Sequence, residues 1–317
     1  MWLLLLRQDV KFTRIYVKWL ARKSRAARTP IIASRGPIVS LTTHGWRIRT
    51  VYLTLESIAN GRILPSRIIL WLDNEDAFRN RPRSLHRLEE RGLEIRLAKN
   101  HGPHTKYYPF LESSDAFDKP LVTADDDVLY SKCWLSGLVN SFNADCASIS
   151  CYRAHRVGIA DGKIAPYRSW RACRSMRPSF LNFAAGSSGC IYPPSFLRAL
   201  RKAGKGFERQ CPTADDVWLH ANAIRSRFMI RQIQSRPVNF PFLPETQDIA
   251  LSVSNVGLGM NDVQIKNTYT PTDIETLIAS LYSARRQAEY RGRYLVEPNA
   301  LPDRGQVDVK HSGASIL

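Results

Sequence analysis

Residues 121–130 read LVTADDDVLY, an apolar run that leads straight into Asp125, Asp126 and Asp127. Three adjacent carboxylates repel one another. They are tolerable where a cation or solvent neutralises them. In an extended segment alternate side chains share a side, which would place Asp125 and Asp127 together as a pair suited to a hard divalent ion, Mg²⁺ or Mn²⁺, shared with phosphate oxygens. The competing reading is a solvated acidic turn. A position at the carboxyl end of a buried strand favours the metal, because open parallel sheets hold ligands there.

The segments around this string set the fold. PIVSLT (37–42), RIILWL (67–72), LEIRLA (93–98) and PLVTA (120–124) read as buried strands. Helical patterns separate them, from Arg47 to Ala59 and from Leu85 to Arg91. Strands alternating with helices imply parallel pairing through right-handed crossovers. The expected class is therefore α/β, a Rossmann-like, mostly parallel sheet flanked by helices. Later segments are less regular: a Gly186–Gly189 loop, Pro193-Pro194, a helix from Asp215 to Arg227, a proline-rich stretch, and a last helix from Asp273 to Arg291. They are expected to complete one domain around an acceptor groove.

Composition bounds the partners. With 317 residues the chain can bury a sizeable core. Its 46 Lys and Arg against 28 Asp and Glu leave a formal charge of +18, which attracts phosphates, anionic lipid or nucleic acid. Nine of those basic residues fall before residue 36, with Asp9 the only acid. Leu3, Leu6, Val10, Val17 and Leu20 recur at helical intervals there, so residues 1–35 read as a basic amphipathic helix. That helix either lies on an anionic membrane, with Trp2, Phe12, Tyr16 and Trp19 at headgroup depth, or packs on the body. The opening apolar run is too short to span a bilayer, which takes roughly 20 residues, and it lacks the features of a secretory leader. A cytoplasmic protein is the expectation, peripheral at the inner face of the plasma membrane where the helix lies on lipid rather than on the body. None of the six cysteines forms a C-x-x-C pair, so zinc knuckles and redox dithiols have no support. No phosphate-binding P-loop occurs, and Gly257-Leu258-Gly259 lacks the third glycine of a dinucleotide fingerprint.

The order PIVSLTTHGWR, RIILWLD, GPHTKYYPFLE, TADDDVLYSKCWL, GSSGCIYPP, ADDVWL and NDVQ, over residues 37–267, resembles bacterial glycosyltransferases of the GT-A fold, akin to family 2 enzymes of polysaccharide and lipopolysaccharide gene clusters. The resemblance implies a GT-A domain over 36–270, its nucleotide-binding half at 36–135 and its acceptor half at 136–270, followed by a C-terminal helix and loose tail at 271–317. It implies a nucleotide-sugar donor, a glycan or lipid-linked acceptor and an Mn²⁺ or Mg²⁺ cofactor. Asp125 would lie near the ribose or sugar, and Asp125 and Asp127 would meet the metal. Asp126 stays ambiguous within the donor set.

Thr42, Thr43, His44 and Asp73 follow the first two strands, where the fold holds base and ribose; capping and turn formation are the plain alternatives. Lys106 would bind phosphate as a point charge. Gly189 belongs to a small-residue loop that lets backbone approach the donor. Asp216, with Asp215 beside it, takes the place of the family's general base, although Asp215 stands where the family carries Glu. The reaction would then invert the anomeric centre. His101, His104, Trp170, Trp218, Tyr107 and Tyr108 are better read as surface or core than as ligands, and Asn261 and Asp262 would order a loop over the donor. A different class, a nucleic-acid-binding protein or a nuclease with metals on the acidic triplet, is also compatible with the charge. It lacks the strings of common binders, so no nucleic-acid partner is expected.

Overall fold

Four apolar runs pair side by side, as their periodicity requires. The computed structural model describes residues 10–114, 116–244, 246 and 259–294. In chain order these form α1 (Val10–Ala26), β1 (Ile38–Thr42), α2 (Val51–Ala59), β2 (Arg67–Leu72), α3 (Glu75–Arg79), α4 (Arg83–Glu89), β3 (Leu93–Leu97), α5 (Tyr108–Ser113), β4 (Leu121–Thr123), α6 (Trp134–Ala144), β5 (Ile149–Cys151), β6 (Ala154–Arg156), β7 (Ile159–Ala160), β8 (Lys163–Ile164), β9 (Arg171–Ala172), β10 (Asn182–Ala184), β11 (Cys190–Tyr192), α7 (Pro194–Ala203), α8 (Phe207–Gln210), α9 (Asp215–Arg225), β12 (Ile230–Gln232), α10 (Met260–Thr268) and α11 (Pro271–Tyr294). Among the described residues, those up to Ser280 form one compact unit and those from Leu281 to Tyr294 another. Trp2, Leu3, Leu6, Gly257, Leu258 and the tail after Glu297 lie outside the described residues.

The main sheet has the order β12-β5-β11-β4-β1-β2-β3. Every pairing in it is parallel except those of β11, which runs antiparallel to β4 and β5. The α/β class expected from the sequence is the one observed. Strands β1, β2 and β4 are covered on both faces, which is why their sequences are nearly continuous apolar runs rather than alternating ones. Val39, Leu41, Ile68, Leu70 and Val122 have no exposed surface and pack with Val51, Leu55 and Ile58 of α2. Each such side chain contributes on the order of 1.5–3 kcal/mol by leaving water. The polar exception in β1, Ser40, is fully buried and satisfied: its hydroxyl donates to the Lys106 carbonyl at 2.7 Å and accepts from Trp71 Nε1 at 2.9 Å.

Two departures from the sequence expectations bear on the site. The helix expected over Arg47–Ala59 is broken, with a 3-10 turn at Gly45–Arg49 before α2 begins at Val51. Thr50 makes the break, since its N–H and its hydroxyl both donate to the Arg47 carbonyl. The second departure is that three strands of the later half, β5, β11 and β12, extend the same sheet. At three residues each they are too short for a period of two to register.

Helix α1 packs on the body through Leu20, which closes on Leu53, Leu129 and Leu243 with Tyr16, Val17 and Ala21 around it. The segment after it is tied down as well. Arg91 donates through Nε to the Thr29 carbonyl and pairs with fully buried Glu56, while its own carbonyl accepts from Ile31. Among the described residues no helix is long and apolar enough to cross a membrane.

Candidate active site

Register brings the functional candidates to one edge. Ile38 stands opposite both Arg67 and Leu121, and Thr42 opposite Trp71. The residues that follow β1, β2 and β4 therefore gather at the carboxyl ends of adjacent parallel strands.

The acidic triplet lies beyond the strand rather than on it. β4 ends at Thr123, and Asp126 and Asp127 form a turn. The alternation argument that put Asp125 and Asp127 on one side applies to extended chain, so it does not hold here: Asp125 turns to Lys106, while Asp126 and Asp127 share Arg47. Asp125, with a quarter of its side chain exposed, accepts from Lys106 Nζ at 2.8 Å. Its N–H donates to the Tyr130 hydroxyl at 2.9 Å, which fixes the start of the turn. Asp126 is buried; it accepts from Thr43 Oγ1 at 2.6 Å and from Arg47 Nη1 at 3.0 Å, and its carbonyl accepts from Thr54. Burial raises the Asp126 carboxyl above the usual range, with Thr43 and Arg47 acting in the opposite direction. Asp127 pairs with Arg47 Nη2 at 3.3 Å, and the same nitrogen donates to the Thr246 carbonyl at 2.7 Å.

Arg47 is the residue that sequence reasoning missed. It lies 79 positions from Asp126, and only the break before α2 turns it inward. A usable signal existed in the unpaired triplet itself, which demanded a cation, and GWRIR follows the adjacent strand end.

The second cluster centres on Lys106. It sits in a 3-10 turn at Gly102–Lys106, anchored to the central strand by Ser40. Its Nζ lies 2.8 Å from Asp125 and 3.2 Å from Asp215. Burial opposes its charge, but the carboxylates of Asp125, Asp215 and Asp216 outweigh that and hold its pKa well above the ordinary lysine value. Asp215 and Asp216 open α9, where the helix dipole favours negative charge. Both Asp216 oxygens accept from the Gly186 N–H, at 3.0 and 3.2 Å. Burial, and then the Asp215 charge, push its carboxyl up to about 8, with Lys106 and the Gly186 N–H working against the rise.

The remaining candidates divide. Thr42 ends β1 and donates to the Trp71 carbonyl at 3.1 Å; His44 is exposed, and Asp73 is half-buried just past β2. Gly189, expected to approach the donor, is buried. Its φ is +92°, and a Cβ there would fall 2.5 Å from Trp134 Nε1, so this glycine serves the packing of Trp134. The close approach in that loop is made by Gly186, whose Cβ would lie 2.9 Å from Asp216 Oδ1. His104 stacks on Phe207 at 4.1 Å and bonds the Tyr107 hydroxyl and the Cys211 carbonyl, while His101 meets Glu208. Both histidines are buried rather than surface groups. Tyr107, Tyr108, Trp170 and Trp218 belong to the core. Asp262 accepts from the Tyr167 N–H at 2.7 Å, and Gln264 from the Thr213 N–H at 2.9 Å. Gln264 thus braces the segment leading into α9, and Asp262 the turn at Tyr167.

Among the described residues no group of three His, Cys, Asp or Glu could by itself hold a metal ion. A magnesium-like ion, however, is commonly bound by one or two carboxylates together with substrate phosphates. With Asp216 held mostly protonated at neutral pH, Asp125, Asp126, Asp127 and Asp215 bring four formal negative charges against two positive ones on Arg47 and Lys106. On a chain of charge +18 this local excess of anionic oxygen fits a hard dication, and Asp125 offers the partly exposed carboxylate.

No family model and no curated protein matches the sequence. In fold the chain is similar to S. aureus TarS (residues 1–349) in complex with UDP-GlcNAc, at 12% identity over 77% of this chain and 71% of that one, TM-score 0.47. It is also similar to the mannosyltransferase PcManGT of Pyrobaculum calidifontis in complex with GDP-Man and Mn²⁺, at 10% identity over 88% and 87%, TM-score 0.43. A CMP:2-keto-3-deoxy-manno-octonic acid synthetase complexed with CTP matches at 10% identity over 71% and 100%, TM-score 0.42. At these identities the likeness is one of fold and has no bearing on substrate.

Proposed function

We propose that this chain is a glycosyltransferase that moves a sugar from a nucleotide-sugar donor to a hydroxyl of a glycan or lipid-linked acceptor, with inversion at the anomeric carbon. The observation that carries the reading is the convergence of Lys106, Asp125, Asp215 and Asp216 at the carboxyl edge of the sheet, with Asp216 oriented by the Gly186 N–H. Residues 36–135 hold the donor and residues 136–270 the acceptor. Thr42, His44 and Asp73 stand where base and ribose bind. Thr43, Asp126 and Arg47 keep the acidic turn in shape.

In the reaction Asp216 accepts the proton of the acceptor hydroxyl while that oxygen forms a bond to the anomeric carbon from the face opposite the diphosphate. The bond from that carbon to the diphosphate oxygen breaks, and the nucleoside diphosphate leaves with the electron pair. Lys106 supplies a fixed positive charge beside the departing phosphate oxygens. A divalent ion held by Asp125, and by Asp127 on release from Arg47, would add Lewis-acid stabilisation of the same leaving group.

The pH response tests the assignment. A base pushed up to about 8 is mostly protonated at neutral pH, so release of nucleoside diphosphate should climb with pH and level off above about 8. Stability should move the other way. Between the unfolded value near 4 and the folded value the native state binds more protons than the unfolded one, so stability falls as pH rises through that window. A transfer rate already flat from pH 6 upward removes Asp216 from the base role.

A further inference from the structure

Helix α1 shows three distinct faces. One is buried: Thr13, Leu20 and Ser24 face the body, with Leu20 against Leu53, Leu129 and Leu243. A second carries Phe12, Ile15 and Trp19, which are 60%, 56% and 44% exposed. Spaced three and four apart, they make one stripe along the helix. The third is basic. Arg14, Lys18, Arg22 and Arg25 are exposed and follow the same spacing in a row beside the stripe, and Lys23 lies 5.1 Å from the Trp19 ring centroid. No acid occurs from Val10 to Pro30.

Water serves such a surface poorly, because three large apolar side chains adjoin one another on it. A nucleic acid would engage the cations and leave Phe12 and Ile15 unused. An apolar protein groove would take the stripe and leave the cations without partners. A bilayer bearing anionic headgroups satisfies both, since apolar side chains enter the headgroup–acyl boundary while basic ones meet phosphates.

We propose that the outer face of α1 docks this protein on an anionic lipid bilayer, with Phe12, Ile15 and Trp19 inserted and Arg14, Lys18, Arg22 and Arg25 on lipid phosphates. This docking stands apart from the transferase reading, although the packing links the two. The inner face of α1 rests on Leu129, two residues past Asp127, and on Leu243, whose N–H donates to the Asp127 carbonyl at 2.6 Å. Docking α1 therefore sets the acidic turn near the lipid surface.

The test is co-sedimentation of the full chain, without donor, with vesicles of phosphatidylcholine alone and of phosphatidylcholine mixed with phosphatidylglycerol. Binding is expected to the mixed vesicles and to weaken with salt. The triple variant Phe12→Ser, Ile15→Ser, Trp19→Ser should lose about a hundredfold in partitioning. Each of Arg14→Gln, Lys18→Gln and Arg22→Gln should lose about fivefold. These side chains are exposed, so an unchanged thermal midpoint is expected and certifies folding. Brominated lipid should quench tryptophan fluorescence, and Trp19→Phe should reduce that quenching measurably. Failure of the wild type to bind mixed vesicles overturns the proposal, as does undiminished binding by the triple variant. A dimer in light scattering that the triple variant abolishes would assign the face to a second copy instead.

Discussion

Asp216→Asn should lower the rate of sugar transfer by about two to four orders of magnitude, the range that a positioned general base supplies, while donor affinity stays essentially unchanged. The substitution keeps the size of the side chain and an oxygen that can still accept from the Gly186 N–H, so the start of α9 and the loop that meets it keep their geometry. What disappears is the ability to take a proton from an acceptor hydroxyl. Lys106 retains Asp125 and Asp215 as partners, and the charge facing the diphosphate therefore survives. The signature in steady-state kinetics is a fall in kcat with little change in the donor's KM. Normal turnover would shift the base to Asp215, and a matching loss of donor affinity would make Asp216 part of the donor site.

The second large effect concerns stability. Arg47→Ala leaves Asp126 and Asp127 as buried carboxylates, each about 7% exposed at the side chain, without the guanidinium between them. Removing one partner of a buried ion pair typically costs about 3–5 kcal/mol. Urea unfolding should show that loss as a lower midpoint at an unchanged slope. Arg47→Lys should recover only part of it, because one ammonium cannot reproduce a planar fork that reaches Asp126, Asp127 and the Thr246 carbonyl together. Adding Asp126→Asn to Arg47→Ala should relieve part of the cost, a coupling that a double-mutant cycle reads directly. A loss below about 1 kcal/mol, the ordinary value of an exposed pair, would mean that water reaches the cluster.

These residues also mark how far the sequence is legible. The three strands whose ends carry the candidate site, β1, β2 and β4, were readable because parallel strands covered on both faces become near-continuous apolar runs, and IVSLT, RIILWL and LVT fit that form, whereas LEIRL at the sheet edge alternates apolar with charged residues. Helix α9 announced itself through the paired acids at its start, and α11 through Pro271. Strand β11 left no trace. It has three residues, runs antiparallel between β4 and β5, and is placed by the Gly186–Gly189 loop rather than by any pattern of its own.

Within the site, position was legible and partnership was not. The edge at which Thr43 and Asp125 stand follows from strand ends, whereas Lys106, in a 3-10 turn, and Asp216, at the start of α9, were marked only by the family resemblance. That Thr43 serves Asp126, that Gly186 rather than Gly189 meets the acid, and that Arg47 closes the triplet all depend on contacts between segments 30 to 83 residues apart. Periodicity carries no information at that range. The acidic triplet misled in a similar way, since alternation describes a strand and the strand had already ended at Thr123.

Calorimetric titration of the full chain with UDP, GDP, CMP and a short DNA duplex, each with Mn²⁺ and with chelator at fixed moderate salt, tests the central claim most directly. The expected result is saturable binding of one nucleoside diphosphate that strengthens with Mn²⁺ and weakens in Asp125→Asn. Salt-sensitive duplex binding with no response to any nucleotide would contradict it and assign the acidic edge of the sheet to a different chemistry.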